Sequence, residues 1–275
     1  DRVIDDGGCD FIETLGAGFP VSVFMELMGM PHERFEEFRK IALEYFSKTT
    51  VERRLELQNT IIAIMEDLYE DHRKNPRDDL TSGLLAAEVR GRNLTEQELQ
   101  SMGFLLFIAG LDTVANALTF AFRHLGTDPD LQRRLAAEHG RIPEFVEESL
   151  RRYAVVNQTR IVKKDIEIGG AQFREGDMVQ CPLTLGGLDE RVNPDPERFD
   201  IDRQDRQHIT FSIGPHTCLG NNLARAEMRI FTEEWLKRIE SFRIVPGTTL
   251  KWRGGGVMSI EHLPIEWTVR DGTGR

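Results

Sequence analysis

The chain has 275 residues, 40% hydrophobic and 29% charged, enough to bury a substantial core without disulfides. Forty-six acidic against 35 basic residues leave a formal charge of −11, which repels nucleic-acid phosphates and offers no polybasic patch to anionic lipid. The three cysteines, Cys9, Cys181 and Cys218, are far apart and form no C-x-x-C pair, which argues against a disulfide framework or zinc ribbon and for a reducing, cytoplasmic setting.

The opening DRVIDDGGCD lacks the basic-then-apolar order of a signal peptide, and a start at Asp1 reads as cut from something longer. No repeat, linker or low-complexity tract divides the sequence, so residues 1–275 are expected to form one structural unit. Residues 21–30 are apolar enough for a packed helix, Pro31 suits the first turn of the next, and Val51–Lys74 carries Leu55, Ile62, Met65 and Tyr69 at helical spacings before Pro76 ends it. Thr95-Glu96-Gln97-Glu98 fits a capping box, opening an apolar helix that continues to Leu125 and is on the order of 45 Å long. Within it, residues 102–122 approach membrane-span length, but hydrocarbon would penalise Asp112 and Asn116, so a buried helix and no membrane partner are predicted. From Arg160 onward, Ile161-Val162, residues 165–168 and residues 178–181 read as short strands between glycine turns. Helix returns after Cys218, where Leu219, Leu223, Ala226 and Ile230 repeat at intervals of four, three and four. The expected class is mainly α with minor β.

The strongest chemical signal is Phe211-Ser212-Ile213-Gly214-Pro215-His216-Thr217-Cys218-Leu219-Gly220. A cysteine on a Gly/Pro-shaped loop at the start of a helix meets backbone N–H groups and the positive end of the helix dipole, both favouring the thiolate, which can hold a soft metal or haem iron. A cysteine taken at random is more often a small buried hydrophobe, and a zinc site from His208, His216 and Cys218 fits no usual zinc module. The second signal is Ala109-Gly110-Leu111-Asp112-Thr113: small residues admit a flat cofactor to the helix backbone, and an acid beside a hydroxyl can deliver protons, although a buried Asp paired to a base gives the same pattern. The third is Glu148-Ser149-Leu150-Arg151, an i, i+3 pair that gains weight beside Pro196-Glu197-Arg198-Phe199, whose arginine could close a buried Glu-Arg-Arg network.

In this order the motifs resemble the cytochrome P450 family of haem-thiolate monooxygenases, with A-G-x-D-T, E-x-x-R, P-E-R-F and F-x-x-G-x-H-x-C-x-G all present. GLDTVANALTF, RIPEFVEESLRR, GGLDER and CLGNNLARAE are similar to the bacterial camphor-hydroxylase branch, thinly from Phe11 and closely from Gly103 to about Trp267. The resemblance implies the C-terminal two thirds of that fold and a haem b cofactor (iron protoporphyrin IX), with Cys218 as the proximal thiolate ligand. It implies that His216 and Arg160 meet the haem propionates, that Phe211 shields the sulfur, and that Gly220 belongs with the cofactor-binding positions. Ala109 and Gly110 match the place where the helix loosens, and Asp112 and Thr113 the pair that relays protons during dioxygen activation. Glu148, Arg151 and Arg198 correspond to a structural network. By position, Leu105, Ile108, Val156 and Val257 face a small hydrophobic substrate, and Lys48 pairs with Asp112. The implied activity is hydroxylation of a small apolar compound such as a terpenoid, with dioxygen and electrons from an iron-sulfur ferredoxin and its reductase. Arg225 and Arg229 are the candidate contacts for that acidic partner.

Two departures stand out: Ser212 takes the place of the family's usual glycine, and the family's N-terminal third, with a propionate-binding helix, the pocket roof and most of the small sheet, has no counterpart here. Two other readings therefore accompany the enzyme. One is a non-catalytic fragment without a functional haem pocket; the other is a haem sensor or carrier, which has no need of Asp112 and Thr113 for proton delivery.

Overall fold

A computed structural model describes residues 3–46 and 49–270. In chain order the elements are β1 (Gly8–Asp10), α1 (Gly18–Met28), α2 (Phe35–Phe46), α3 (Val51–Lys74), α4 (Leu80–Ala86), β2 (Glu88–Val89), β3 (Arg92–Asn93), α5 (Glu96–Gly110) and α6 (Thr113–Leu125). They continue with α7 (Pro129–Ala137), α8 (Ile142–Arg152), β4 (Asn157–Ile161), β5 (Ile166–Ile168), β6 (Ala171–Phe173), β7 (Met178–Pro182), α9 (Thr184–Gly187), α10 (Asn221–Arg238), β8 (Ile239–Ile244), β9 (Trp252–Arg253), β10 (Ser259–Ile260) and β11 (Pro264–Val269). Helix predominates and the sheets are small, as the sequence pattern implies.

Local chemistry sets the helix ends. Thr50 caps α3 by accepting from the Arg53 amide, and Thr95 and Glu98 complete the reciprocal capping box of α5. Asp128 caps α7, with Pro129 in its first turn, where a missing N–H costs nothing. Pro31 behaves differently from the expectation: it precedes a 3-10 turn at His32–Arg34, and α2 begins only at Phe35.

The single long helix expected after Thr95 is two helices. Leu111 departs to φ −101°, ψ −10°, and the Thr113 hydroxyl donates to the Ala109 carbonyl at 3.0 Å, the kind of back-bond that bends a helix. The stretch Glu96–Leu125 is long and apolar enough by composition to cross a membrane, yet half of its most apolar window is buried.

The chain divides into two compact units, with the division falling between Ala115 and Asn116 inside α6. One unit, Glu13–Ala115, packs α1 to α5 around Val21, Phe24, Met25, Ile61, Met65 and Phe107. The Tyr69 hydroxyl of α3 donates to the Leu99 carbonyl of α5 at 3.0 Å, satisfying the one polar atom of that buried ring. The other unit joins the residues up to Ile12 with those from Asn116 onward. In it β1, β11 and β8 form an antiparallel sheet in that order, whose Phe242 and Trp267 pack with Phe11, Phe122 and Trp235 in one aromatic cluster. Gln132 fastens α7 to this sheet: its amide donates to the Phe242 carbonyl and accepts from the Phe242 N–H. The antiparallel pairs β4–β7 and β5–β6 carry the strands expected after residue 160.

Candidate functional site

The loop before α10 is built from two left-handed residues and a short turn. Ser212 has φ +61° and Gly214 φ +65°, followed by a 3-10 turn at Gly214–His216. The strain at Ser212 has a local counterpart, because its hydroxyl donates to Gln158 Oε1 at 3.1 Å. Cys218 leaves this turn just ahead of α10. Its N–H donates to the Phe211 carbonyl at 2.8 Å, and its carbonyl accepts from the Asn221 side-chain amide at 2.7 Å, so both backbone groups are fixed while the residue itself is exposed. Gly220 caps α10 from φ −85°, and a side chain there would meet nothing within 4 Å, so packing does not demand glycine.

Apolar side chains flank the cysteine: Ile213 is 70% and Leu219 78% exposed. His216 is exposed on the same loop. Arg160, in β4, is exposed and donates to Thr159 O and to the same Gln158 Oε1 that receives Ser212, so Gln158 joins strand and loop. The sequence reading did not single out Gln158, since nothing in a strand pattern distinguishes it from its neighbours.

Glu148 and Arg151 form a fully buried bidentate pair, with both bonds at 2.8 Å. The remaining guanidinium protons go to the carbonyls of Gly187, Pro196 and Arg198, so one side chain ties α8 to an irregular segment. A side chain at Gly187 would lie 2.0 Å from the Arg151 carbonyl oxygen, which explains glycine there. Arg198 does not close the network as expected. Its side chain is 66% exposed and pairs with Asp200, and only its carbonyl takes part. Arg203, 10% exposed, stands 3.5 Å from Glu148 instead, with Arg206 at 3.9 Å.

On α5, Leu105 is 57% exposed and Ala109 is also exposed, whereas Ile108 packs against the core of its unit. A side chain at Gly110 would lie 2.2 Å from the Phe24 ring of α1, so helix packing also requires a small residue there. Asp112 is buried at the break between α5 and α6 and Thr113 is half-buried. On α6, Asn116 and Thr119 are buried polar residues three positions apart, a spacing visible in the sequence. Val156 and Val257 form an antiparallel β-bridge, with Val257 buried. Lys48, expected to pair with Asp112, lies outside the described residues.

Arg225 and Arg229 do not present uncompensated charge. Arg229 bonds Glu233 at 2.9 Å, and Arg225 bonds Glu147 at 2.5 Å while lying over the Phe211 ring. Burial alone would raise the Glu147 carboxyl, but the hydrogen bonds and charge of His208 and Arg225 bring it down to about 2. A second acid, Glu227, is buried on α10, and burial pushes it up to about 7. Its place between Ala224 and Met228 on an otherwise apolar face was the available signal.

Comparison with known proteins places this arrangement. The family described as Cytochrome P450 matches residues 18–251. A "Probable cytochrome P450 127A1" of Sinorhizobium fredii is 36% identical over 262 residues, covering 94% of this chain and 62% of that protein. A "Steroid C26-monooxygenase" of Mycobacterium tuberculosis is 30% identical over 278 residues, covering 98% and 75%. The crystal structure of CYP101J2 superposes with a TM-score of 0.88 at 34% identity, over 98% of this chain and 67% of that one. The chain thus spans from under two thirds to three quarters of the length of these proteins. Motif order, loop geometry, the buried Glu-Arg pair and these matches agree: the chain belongs to the cytochrome P450 family.

Proposed function

We propose that this sequence provides the cysteine-ligand and proton-delivery portions of a haem-thiolate monooxygenase that hydroxylates a small hydrophobic compound. The observation that carries the reading is the Cys218 loop: one exposed thiol, both of its backbone groups fixed, apolar side chains on either side and the basic residues His216 and Arg160 in the same unit. A single soft donor amid apolar surface suits a porphyrin, and exposed basic side chains suit its carboxylates. The donor set is unlike a zinc site, and no cluster of three or more His, Cys, Asp or Glu that could hold a metal occurs among the described residues. When bound, the haem supplies the redox centre for dioxygen activation, with thiolate donation favouring O–O cleavage.

The chain's own residues then have distinct tasks. Cys218 supplies the thiolate, and Phe211 holds the Cys218 N–H in place through its carbonyl. The Thr113 hydroxyl donates its hydrogen bond to the Ala109 carbonyl, which leaves the oxygen's lone pairs able to accept a donor. Asp112, buried at the helix break, is the acid from which a proton can move. Val156, half-buried beside the buried Val257, and the exposed Leu105 on α5 are apolar positions that support an apolar substrate, as does a relative named for a steroid. A terpenoid substrate and electrons from a ferredoxin with its reductase follow from the camphor-hydroxylase resemblance, and a cytoplasmic setting from the cysteine usage.

The test is the reduced, carbon-monoxide-bound spectrum of the haem-loaded chain, alone and as Cys218→His. A thiolate-type spectrum lost in the variant is expected. A spectrum retained in the variant places the ligand elsewhere, and a colourless chain under haem loading favours a fragment that keeps the fold without the cofactor.

A further inference from the structure

We propose that Glu147 is a positioning residue for Cys218, holding Arg225 where it braces both backbone hydrogen bonds of the cysteine. The inference rests on the reading of Cys218 as the thiolate ligand and adds the device that aims it. Arg225 is the hub. Its guanidinium carbon lies 4.5 Å from the centroid of the Phe211 ring, and Phe211 supplies the carbonyl that accepts from the Cys218 N–H at 2.8 Å. Another arm of the same guanidinium donates to Asn221 Oδ1 at 3.1 Å, and Asn221 Nδ2 donates to the Cys218 carbonyl at 2.7 Å. One arginine thus touches the partner of each backbone group of Cys218.

Glu147 fixes this hub to α8. Its Oε1 accepts from Arg225 Nε at 2.5 Å and its Oε2 from Nη2 at 3.3 Å, a fork geometry that sets the plane of the guanidinium. The second oxygen also faces His208 Nε2 at 3.3 Å, and His208 is nearly buried. Glu147 sits directly before Glu148, so the helix that carries the buried Glu148–Arg151 pair also carries the brace, and its placement is inherited from a rigid anchor. The Glu147 carboxylate offsets the Arg225 charge, and the arginine's other contacts are with Phe211 and Asn221.

Hydrogen–deuterium exchange of the Cys218 amide, with peptide-resolved alkylation of Cys218 and Cys181, tests the brace on the full chain without cofactor. Glu147→Gln removes the charge that fixes Arg225, and Arg225→Lys keeps the charge but loses both the fork and the flat face. Each is expected to speed Cys218 exchange roughly tenfold, with Cys181 alkylation unchanged and the double variant no faster than either single one. Glu147→Asp, which keeps the charge, should fall between parent and Glu147→Gln and serves as the folded comparison if Glu147→Gln loses its structure. Unchanged exchange in Glu147→Gln or Glu147→Asp, or fully additive effects in the double variant, overturns the proposal. Failure of the Cys218→His spectral test would instead remove the ligand reading and leave the exchange result intact, so the two failures are distinguishable.

Discussion

At the residue scale, Ser212 shows how a departure from a family pattern is absorbed. Holding a non-glycine residue at φ +61° costs about 1 kcal/mol, and the hydroxyl's bond to Gln158 returns a similar amount. Glycine at this position would relieve the strain, lose the bond and add chain entropy to the unfolded state. The first gain opposes the other two losses, so Ser212→Gly should cost roughly 0.5–1 kcal/mol. Ser212→Ala keeps the strain without the bond and should cost about 1 kcal/mol, read from urea-unfolding midpoints of the three proteins. A Ser212→Ala variant as stable as the parent would show that the Gln158 bond carries no weight. The thiol of Cys218 is controlled in the same local way, through the two bonds of its own backbone.

At the element scale, the same residue type has opposite fates depending on which segment carries it. Arg198 stands in the P-E-R-F motif yet points outward, whereas Arg203 turns inward, donating to the carbonyls of Pro194, Asp195 and Arg198 beside Glu148. Removing Arg203 strips three carbonyls of their donor and leaves the buried Glu148 with less opposing charge, a loss of roughly 1–2 kcal/mol, while Arg198→Ala should change stability by less than about 0.5 kcal/mol. Thermal or urea unfolding of the two variants separates them, and equal losses would reinstate Arg198 in the network. This contrast also marks how far the sequence could be read. The capping box at Thr95, the span of α3 and the helix after Cys218 were legible because capping chemistry and apolar periodicity are local. The break at Leu111 was partly legible in Gly110 and Thr113, but the role of Gly110 depends on Phe24, a residue more than eighty positions away. The stretch between α9 and α10 has no periodicity, so nothing local says which of its arginines turns in. For the same reason Glu147 drew no notice beside Glu148, since its importance lies in partners on a distant loop and on α10.

At the scale of the whole molecule, two buried groups set opposing pH dependences. Burial lowers His124 from 6.5 to about 4; its ring stacks on Phe199 at 3.9 Å and Nδ1 meets the Tyr153 hydroxyl at 2.9 Å. Between pH 6.5 and 4 the unfolded chain binds this proton more readily, so the His124 contribution is complete above pH 6.5 and is lost as the pH falls. Glu227 runs the other way. Raised from 4.5 to about 7, it keeps its proton longer in the folded state, and its contribution is complete below pH 4.5 and lost as the pH rises towards 7. Each swing is worth at most about 3 kcal/mol, less for the partly exposed His124, and their slopes nearly cancel between pH 4.5 and 6.5. Glu147, lowered to about 2, withdraws its stabilisation only below pH 4.5 and so stays outside that window. The parent should therefore show a nearly flat stability profile across those two units. Glu227→Gln, which cannot ionise, removes one of the two slopes, and stability should then climb by roughly 2 kcal/mol from pH 4.5 to 6.5, measured as urea midpoints at fixed ionic strength. A profile as flat as the parent's would mean that His124 protonates in the folded chain as freely as in water and, with the parent itself flat, that burial on α10 does not hold the Glu227 proton either.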